Sequence, residues 1–486
     1  RWLSDWSSDV CSSDLDLSFN TSASFFGADG IPGKNGKERI GNFYGNIGWN
    51  ISHKVELLAG ATYIRGLRQL VMIDEEVGAP NIKNRIEKYD PVGTLLTYAK
   101  LNFSGNDGSL TELQANLAYR KVDFASFNIP QETITWNKEN DNEYGLNVLH
   151  SQPLSASNTL RIGGMYNHWV APEGKRYYVG RSSNVHTYSA VIADEQKVGK
   201  FLFDAGFRLI GGYIVEWGGF GIEGSAAGFQ NVAPIEDQAA PLEWQSAVGA
   251  TYALSGSTSV HYNFSGGTIA PRKGSLTDEG RLPDNEGRFQ HDLGFKYISP
   301  KQNELSVSAF YTQRKNSIDF SGQTIVTEND LVMELYKNID KQSYGIEFSS
   351  KLNVPSIHSY IFGNAMIMKG ERELNGTMTK DNQLPGIILN SGIYFDYKNF
   401  DANFFINYTG SYTNNRFVNP SWVQQNGEFP LGDFVSADFT AGYTLPGKCT
   451  KRIFVDVKNI MNKNFMTVAG YPDQGRVLSG GIRVMK

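Results

Sequence analysis

From Asp16 onward, apolar and polar residues alternate one by one over segments of about ten residues, and this feature restricts the chain most strongly. In an extended strand, successive side chains leave on opposite sides, so each segment is a ribbon with one greasy and one wet face. In residues 434–443, Val435, Ala437, Phe439, Ala441 and Tyr443 share one face, and Ser436, Asp438, Thr440 and Gly442 the other. The turn signal Pro446-Gly447 follows. Ile453, Val455 and Val457 then lie opposite Phe454, Asp456 and Lys458.

The unit recurs along the chain. Leu389, Ile393, Phe395 and Tyr397 pass through Lys398-Asn399 into Ala402, Phe404, Ile406 and Tyr408. Phe289, His291, Leu293, Phe295 and Tyr297 pass through residues 299–303 into Leu305, Val307, Ala309 and Tyr311. Phe43, Ile47, Trp49 and Ile51 turn at Ser52-His53-Lys54 into Val55, Leu57, Ala59, Ala61 and Tyr63. Further pairs are expected around 94–121, 143–169, 187–210, 244–265 and 343–368. Short turns alternate with long polar loops, predicting about nine hairpins plus one strand at each end, roughly twenty strands near the ~9–11 residues that cross a bilayer when tilted. Only residues 74–89 could pass for a helix, and Gly78 and Pro80 interrupt them.

Composition narrows the class. No apolar run approaches the roughly 18 residues of a membrane-spanning helix, and mean hydropathy is −0.35. A barrel needs apolar residues only at alternate positions, so a membrane setting stays open. Lys+Arg 45 against Asp+Glu 50 gives −5, without the basic excess that nucleic acid demands. Aromatics at 13% and 51 glycines suit a β-protein with one wet face. Cys11 and Cys449 are too few for a disulfide framework or zinc knuckle.

The wet faces carry Asp, Asn, Glu, Lys and Gln with Gly and Ser, as a water-filled lumen requires. The opposite faces carry Leu, Val, Ile, Ala and Phe, with Tyr or Trp near strand ends, as in an interfacial aromatic girdle. A sheet in lipid must close on itself, because an open edge leaves backbone groups unpaired. The expected fold is therefore all-β: a large antiparallel transmembrane β-barrel of about 20–22 strands, with short periplasmic turns and long extracellular loops. A soluble propeller would share the strand density, but its blades repeat every ~40–50 residues and no such repeat is seen. Residues 1–15, RWLSDWSSDVCSSDL, lack both alternation and a signal-peptide pattern, and read as a non-native leader or assembly scar. The barrel is assigned to residues 16–486.

The carboxy-terminal stretch resembles the end of a TonB-dependent outer-membrane receptor. Asn459-Ile460-Met461-Asn462-Lys463-Asn464-Phe465 is similar to that family's penultimate-strand motif. Gly470-Tyr471-Pro472 and Gly475-Arg476 resemble its closing loop and last-strand start. SLTDEGRLPDNEGRFQHDLGFKY and NIDKQSYGIEFSSK resemble two further family segments, and the loops are similar in style to Bacteroidetes-type receptors. Departures are the ending Val484-Met485-Lys486, where the family has an aromatic, and no sign of the amino-terminal plug or its TonB-contacting box. The family barrel has 22 strands, so loss of the first hairpin with the plug is expected.

The resemblance implies a receptor in the bacterial outer membrane that binds a scarce nutrient (an iron–siderophore, cobalamin or an oligosaccharide) for TonB-energised import, and not an enzyme. Implied partners are outer-membrane lipid and lipopolysaccharide, the TonB-ExbB-ExbD complex through the plug, the extracellular nutrient and a surface lipoprotein. The rivals are a passive porin or adhesin-type barrel and a soluble glycan-binding propeller. No catalytic, cofactor or metal residues are assigned. His53, His150, His168, His186, His261, His291 and His358 lack metal-ligand spacing. Asp74-Glu75-Glu76 and Asp278-Glu279 read as solvated loop charges, and GKNGK (33–37) lacks P-loop spacing. Trp169, Trp217, Trp422 and Tyr412 fall near outer loops, where girdle anchoring competes with ligand stacking. No nucleophile elbow occurs, and the ligand-binding residues are left unassigned.

Overall fold

The computed structural model describes residues 16–223, 228–272, 274–447 and 450–485. Residues 1–15 with Cys11, and also Cys449, lie outside that set. Twenty strands of nine to 24 residues form the body of the described chain. They are β1 (Leu17–Ala28), β2 (Glu38–Ser52), β3 (Val55–Gln69), β4 (Arg85–Ser104), β5 (Leu110–Asn128), β6 (Thr133–Ser155) and β7 (Asn158–Ala171). Next come β8 (Ser183–Val198), β9 (Phe201–Trp217), β10 (Ile235–Ala253), β11 (Thr258–Ile269), β12 (Glu286–Ile298), β13 (Glu304–Thr327) and β14 (Val332–Val354). The last are β15 (Ser359–Leu374), β16 (Ile387–Tyr397), β17 (Phe400–Thr409), β18 (Phe434–Leu445), β19 (Thr450–Lys458) and β20 (Val477–Met485).

Every strand pairs antiparallel with the next in chain order. One continuous 23-stranded sheet results, counting the short strands Phe220–Glu223, Asn231–Val232 and Thr377–Lys380. A propeller would break into separate blades, so that alternative fails. The sheet curls round until loops from its two halves touch. The Asp74 amide, after β3, donates to the Gly470 carbonyl before β20 at 2.8 Å, and the Asn419 amide donates to Val77 at 2.7 Å.

The nine hairpins and two end strands read from alternation are all present. Many strands exceed the expected length, because they continue past the bilayer-spanning segment at the long-loop end. Two of the expected long loops are ladder instead: β5–β6 and β13–β14 extend as hairpins, joined only by residues 129–132 and 328–331. The ambiguous stretch 74–89 contains a single helical turn, α1 (Pro80–Lys83), after a turn at 75–77, and only residues 85–89 enter β4. A second short helix, α2 (Pro420–Asn426), begins with Asn419 accepting the Ser421 amide and Pro420 at the first turn.

The faces are as the pattern demands. Phe43, Ile47 and Trp49 pair with Tyr63, Ala59 and Leu57 on the outer wall, while Asn42, Asn46 and Asn50 occupy the inner one. Towards the long-loop end the outer wall carries a belt of rings. It includes Tyr63, Tyr119, Tyr144, Tyr166, Tyr188, Tyr262 and Tyr311. His168 and His186 stack in this belt with centroids 4.2 Å apart, and Tyr166 and Tyr262 hold His186 and His291 by their hydroxyls. The buried apolar core lies at the long-loop mouth: Tyr178, Phe220, Leu276, Ile325, Met333 and Leu335 pack together there.

Candidate functional site

The mouth gathers side chains from almost the whole circumference. Strand parity sends Glu87, Tyr89, Arg120, Glu139, Asp141 and Glu143 inward from β4, β5 and β6, beyond the aromatic belt. Asp141 is 1% exposed and accepts from Arg120 Nη1 at 2.6 Å, Trp169 Nε1 at 3.0 Å and Lys175 Nζ at 2.6 Å. Burial alone would raise its carboxyl; the donors Lys175, Trp169 and Arg120 outweigh it and hold Asp141 below its ordinary range. Among the described residues Glu139 has the Arg176 amide, at 2.8 Å, as its one direct donor. There burial wins and the carboxyl is pushed up, as it is at Glu87.

A cover lies over these groups. The β13–β14 hairpin is fixed at its base by Ile325, Met333 and Leu335, which are 1%, 2% and 0% exposed. Its tip spans the opening. Arg85 on β4 grips the Asp330 carboxylate with Nη2–Oδ1 at 2.8 Å and Nη1–Oδ2 at 3.2 Å, and donates to the Asp330 carbonyl at 2.7 Å. Asn329 Nδ2 donates to the Val179 carbonyl at 3.1 Å, and Arg416 makes a two-pronged contact with Glu334 at 2.8 and 2.7 Å. A cavity of about 260 Å³ lies beside Ile73, Ile82, Arg85, Glu87 and Tyr471. The Tyr471 hydroxyl is pushed up to about 12 by burial and the nearby Glu87 carboxylate.

Two arginines at the mouth, Arg176 and Arg272, stand out because loop packing brings them side by side. The Tyr178 hydroxyl donates to the Gly274 carbonyl at 3.1 Å, and an added Cβ at Gly274, whose φ is +84°, would strike the Tyr178 ring at 2.4 Å. This fit sets Arg176 beside Arg272, each two residues upstream of the contact. Tyr336 joins them, since its amide donates to the Leu276 carbonyl at 2.8 Å. Among the described residues neither guanidinium has a carboxylate within ion-pair distance. Burial and then the Arg176 charge hold Arg272 below the usual arginine range, while burial and the Tyr336 hydroxyl push Tyr177 up to about 12. The arrangement is an exposed double cation flanked by two phenols, suited to an oxygen-rich anion.

The sequence-flagged residues divide between this site and plain structural roles. Trp169 and Trp217 come together at the mouth, stacked at 5.4 Å, with Trp217 edge-on to Tyr178 at 5.5 Å. Trp422 packs on Phe429 at 5.1 Å and the Tyr412 hydroxyl donates to Thr467, so both brace an outer loop. Asp74 accepts the Glu76 amide and faces Lys34 at 3.6 Å; Asp278 accepts from Ser321. In residues 33–37, Gly33, Asn35 and Gly36 all adopt positive φ, forming a tight turn that docks on residues 71–72. His261 faces Asp292 across the inner wall at 3.1 Å, and His150 accepts from or donates to Thr111 at 2.9 Å. Among the described residues no group of His, Cys, Asp and Glu could hold a metal.

Alternation carried no mark of Arg176 or Arg272, because they lie in loops. A weak signal existed on β6, where Glu139, Asp141 and Glu143 repeat at the inward parity. The carboxy-terminal motif has a clear physical reading. Asn459 and Asn462 sit at φ 49° and 51°, a region that asparagine tolerates. Asn459 closes the turn by donating to the Lys463 carbonyl at 2.8 Å and accepting the Lys463 amide at 3.0 Å. Phe465 stacks on Phe434 at 4.1 Å, and Gly470, at φ +78°, leaves room for Ile73.

Comparison with solved structures places the same architecture in several transporters. The copper transporter OprC superposes with TM-score 0.74 at 13% identity, over 96% of this chain and 76% of that one. The ferric-catecholate import receptor Fiu of E. coli gives 0.71 at 11%, over 97% and 78%. The pyoverdine receptor FpvA of Pseudomonas aeruginosa, bound to pyoverdine, gives 0.72 at 12%, over 97% and 74%. No curated protein matches in sequence. The family described as TonB dependent receptor-like, beta-barrel, matches residues 74–460. That match covers most of the chain, which therefore belongs to this family of outer-membrane transport receptors of Gram-negative bacteria.

Proposed function

We propose that the chain forms the barrel of a receptor importing an anionic, oxygen-rich nutrient complex, an iron–siderophore chelate in preference to cobalamin or a neutral oligosaccharide. The observation that carries this is the Arg176–Arg272 pair with Tyr177 and Tyr336 at the covered mouth. Two guanidiniums without carboxylate partners stabilise delocalised negative charge, and the phenol rings offer flat surfaces for catechol or hydroxypyridone rings. A neutral sugar would leave that charge unanswered. Energy for release would come from TonB acting through a plug within the barrel, as the family resemblance implies. The nutrient leaves chemically unchanged, so the assigned role is transport and not catalysis.

The experiment is binding of a ferric tris-catechol complex to the receptor in detergent, followed by quenching of Trp169 and Trp217 fluorescence. Arg176→Gln with Arg272→Gln should weaken binding by about a hundredfold, taking ~1.5 kcal/mol for each charge-assisted contact. A neutral oligosaccharide should bind no better to wild type than to the double variant. Equal affinity of wild type and variant for the ferric complex would refute the assignment.

A further inference from the structure

Below the mouth, strand register lines up a row of cations on the inner wall. Arg288 on β12 pairs with Arg314 on β13, Arg314 with Lys341 on β14, and Lys341 with Arg372 on β15. In the other direction the row passes through Gly267 on β11 and Gln245 on β10 to Arg208 on β9. These positions have the parity opposite to the outward-facing Phe207, Phe289, Tyr311 and Tyr344, so all face the lumen. The row slopes. Arg208 stands seven residues from the short-turn end of β9, and Arg372 thirteen from that of β15. Six residues of tilted strand climb about 15 Å, so the row is a stair from mid-wall towards the rim. Near its upper end Tyr336, the phenol beside Arg272, lies five residues closer to the rim on β14 than Lys341.

Like charges directly opposite one another weaken a sheet, so the stair costs stability that a neutral row would not. Two carboxylates answer three of its five cations: Glu286 pairs with Arg288, and Asp319 with Lys341 at 3.1 Å and with Arg372. Among the described residues Arg208 and Arg314 have no carboxylate within ion-pair distance. Arg208 donates from Nε and Nη2 to the Ser189 hydroxyl at 3.2 and 3.1 Å, and Arg314 is exposed. Glu243, one row nearer the rim on β10, makes no ion pair with either; with it counted, positive charge still predominates. At the foot of the stair the wall is hollowed. A concavity of about 390 Å³ is lined by Gly206, Arg208, Gln245, Ser265, Gly267 and Arg288 among others. Gly267 keeps it open, since an added Cβ would lie 2.5 Å from the Trp244 carbonyl oxygen. The hollow has an arginine on either side and amide and hydroxyl donors between them.

We infer that this stair is an anion path down the inner wall. The hollow between Arg208 and Arg288 is its lower binding site, taking an oxygen-rich arm of the nutrient chelate after the mouth releases it. The inference rests on the reading of the nutrient as an anion. Several weak sites in series let an ion enter and leave, where one deep site would trap it. A small chelate fits better than an acidic polypeptide. The hollow has room for about two catechol-sized rings, judged against the ~150 Å³ that encloses one benzene. It also offers a chain segment no free strand edge, because β9 to β12 are bonded on both sides.

The test is equilibrium dialysis of the receptor in detergent against a ferric tris-catechol complex, counting bound iron. Wild type should bind two complexes per chain, the tighter at the mouth. Arg208→Gln with Arg314→Gln should weaken the second site about a hundredfold, at about tenfold for each charge-assisted contact, and leave the first unchanged. Arg208→Lys with Arg314→Lys keeps both charges and should retain the second site. Arg176→Gln with Arg272→Gln should weaken the tighter site alone, so the two assignments stand or fall separately. Heat-modifiable migration reports that each variant is folded. One complex per chain in wild type, or two in the Arg208→Gln/Arg314→Gln variant, would overturn the inference. An unchanged iron count with lost binding of a polyglutamate peptide would assign the row to an acidic polypeptide, and overturn it equally.

Discussion

Replacing Asp330 by asparagine isolates the contact that carries the β13–β14 hairpin across the mouth. The Arg85 side chain is 9% exposed and the Asp330 side chain 32%, so the pair is only partly screened by water. At an effective dielectric near 20 its gross attraction is about 4 kcal/mol, of which desolvation and side-chain ordering leave roughly 2 kcal/mol. Asparagine keeps the shape and one acceptor but removes the carboxylate charge that Arg85 grips at the tip. Opening of residues 327–332 should then become about 30-fold more frequent, by the conversion of ~1.4 kcal/mol per tenfold. The hairpin base should not follow, because Ile325, Met333 and Leu335 remain buried. Hydrogen exchange followed by mass spectrometry on the receptor in detergent resolves the two segments. Faster exchange confined to 327–332 is the expected result. Unchanged exchange there, or an equal rise across 333–337, would show that the ion pair does not hold the tip.

Leu335→Ala, at a site with no exposure, should cost about 2–5 kcal/mol locally and open residues 228–234 and 274–285 to protease while the ladders of the barrel stay protected. The raised carboxyls of Glu87 and Glu139 favour the covered mouth most below their ordinary pKa of 4.5, and that contribution is lost as pH rises through their higher folded-state values. Exchange at the mouth should thus quicken from pH 4.5 upward and be flatter in Glu139→Gln; Asp141, held below 3.8, is already ionised throughout that window. Asn459→Ala removes a positive-φ asparagine and its paired bonds to Lys463, and should lower the temperature at which the barrel loses its compact gel migration, by about 1–2 kcal/mol of stability.

Period-two alternation made the barrel wall legible because one-sided burial forces it. Val435, Ala437 and Phe439 could occupy only one face, and shifting any strand by one residue would reverse every side chain along it. The same rule hid the lengthening of β5, β6, β13 and β14, since beyond the bilayer both faces may be polar and the pattern fades. Lys175, Arg176, Arg272 and Arg416 were invisible for a related reason. Their positions are set by loops that pack on one another through Tyr178, Leu276 and Leu335, and contacts so distant in sequence leave no periodic trace. Trp169 and Trp217 were legible as outer-loop aromatics, but their stacking depends on β7 and β9, the two flanks of β8, converging at the rim.

A curled sheet of hydrogen-bonded strands, in which no ladder joins β1 to β20 among the described residues, resists stretching across its ladders but flattens readily, since flattening breaks no ladder bond. The Arg85–Asp330 tie joins walls on nearly opposite sides and acts as a spoke at one rim. Bilayer side-pressure that squeezes the tube along one axis widens it along the other, and the spoke limits the motion in its own direction. The rim's cross-section is therefore set by a pair of side chains as well as by strand number, and releasing that pair lets the opening change shape while every ladder stays intact.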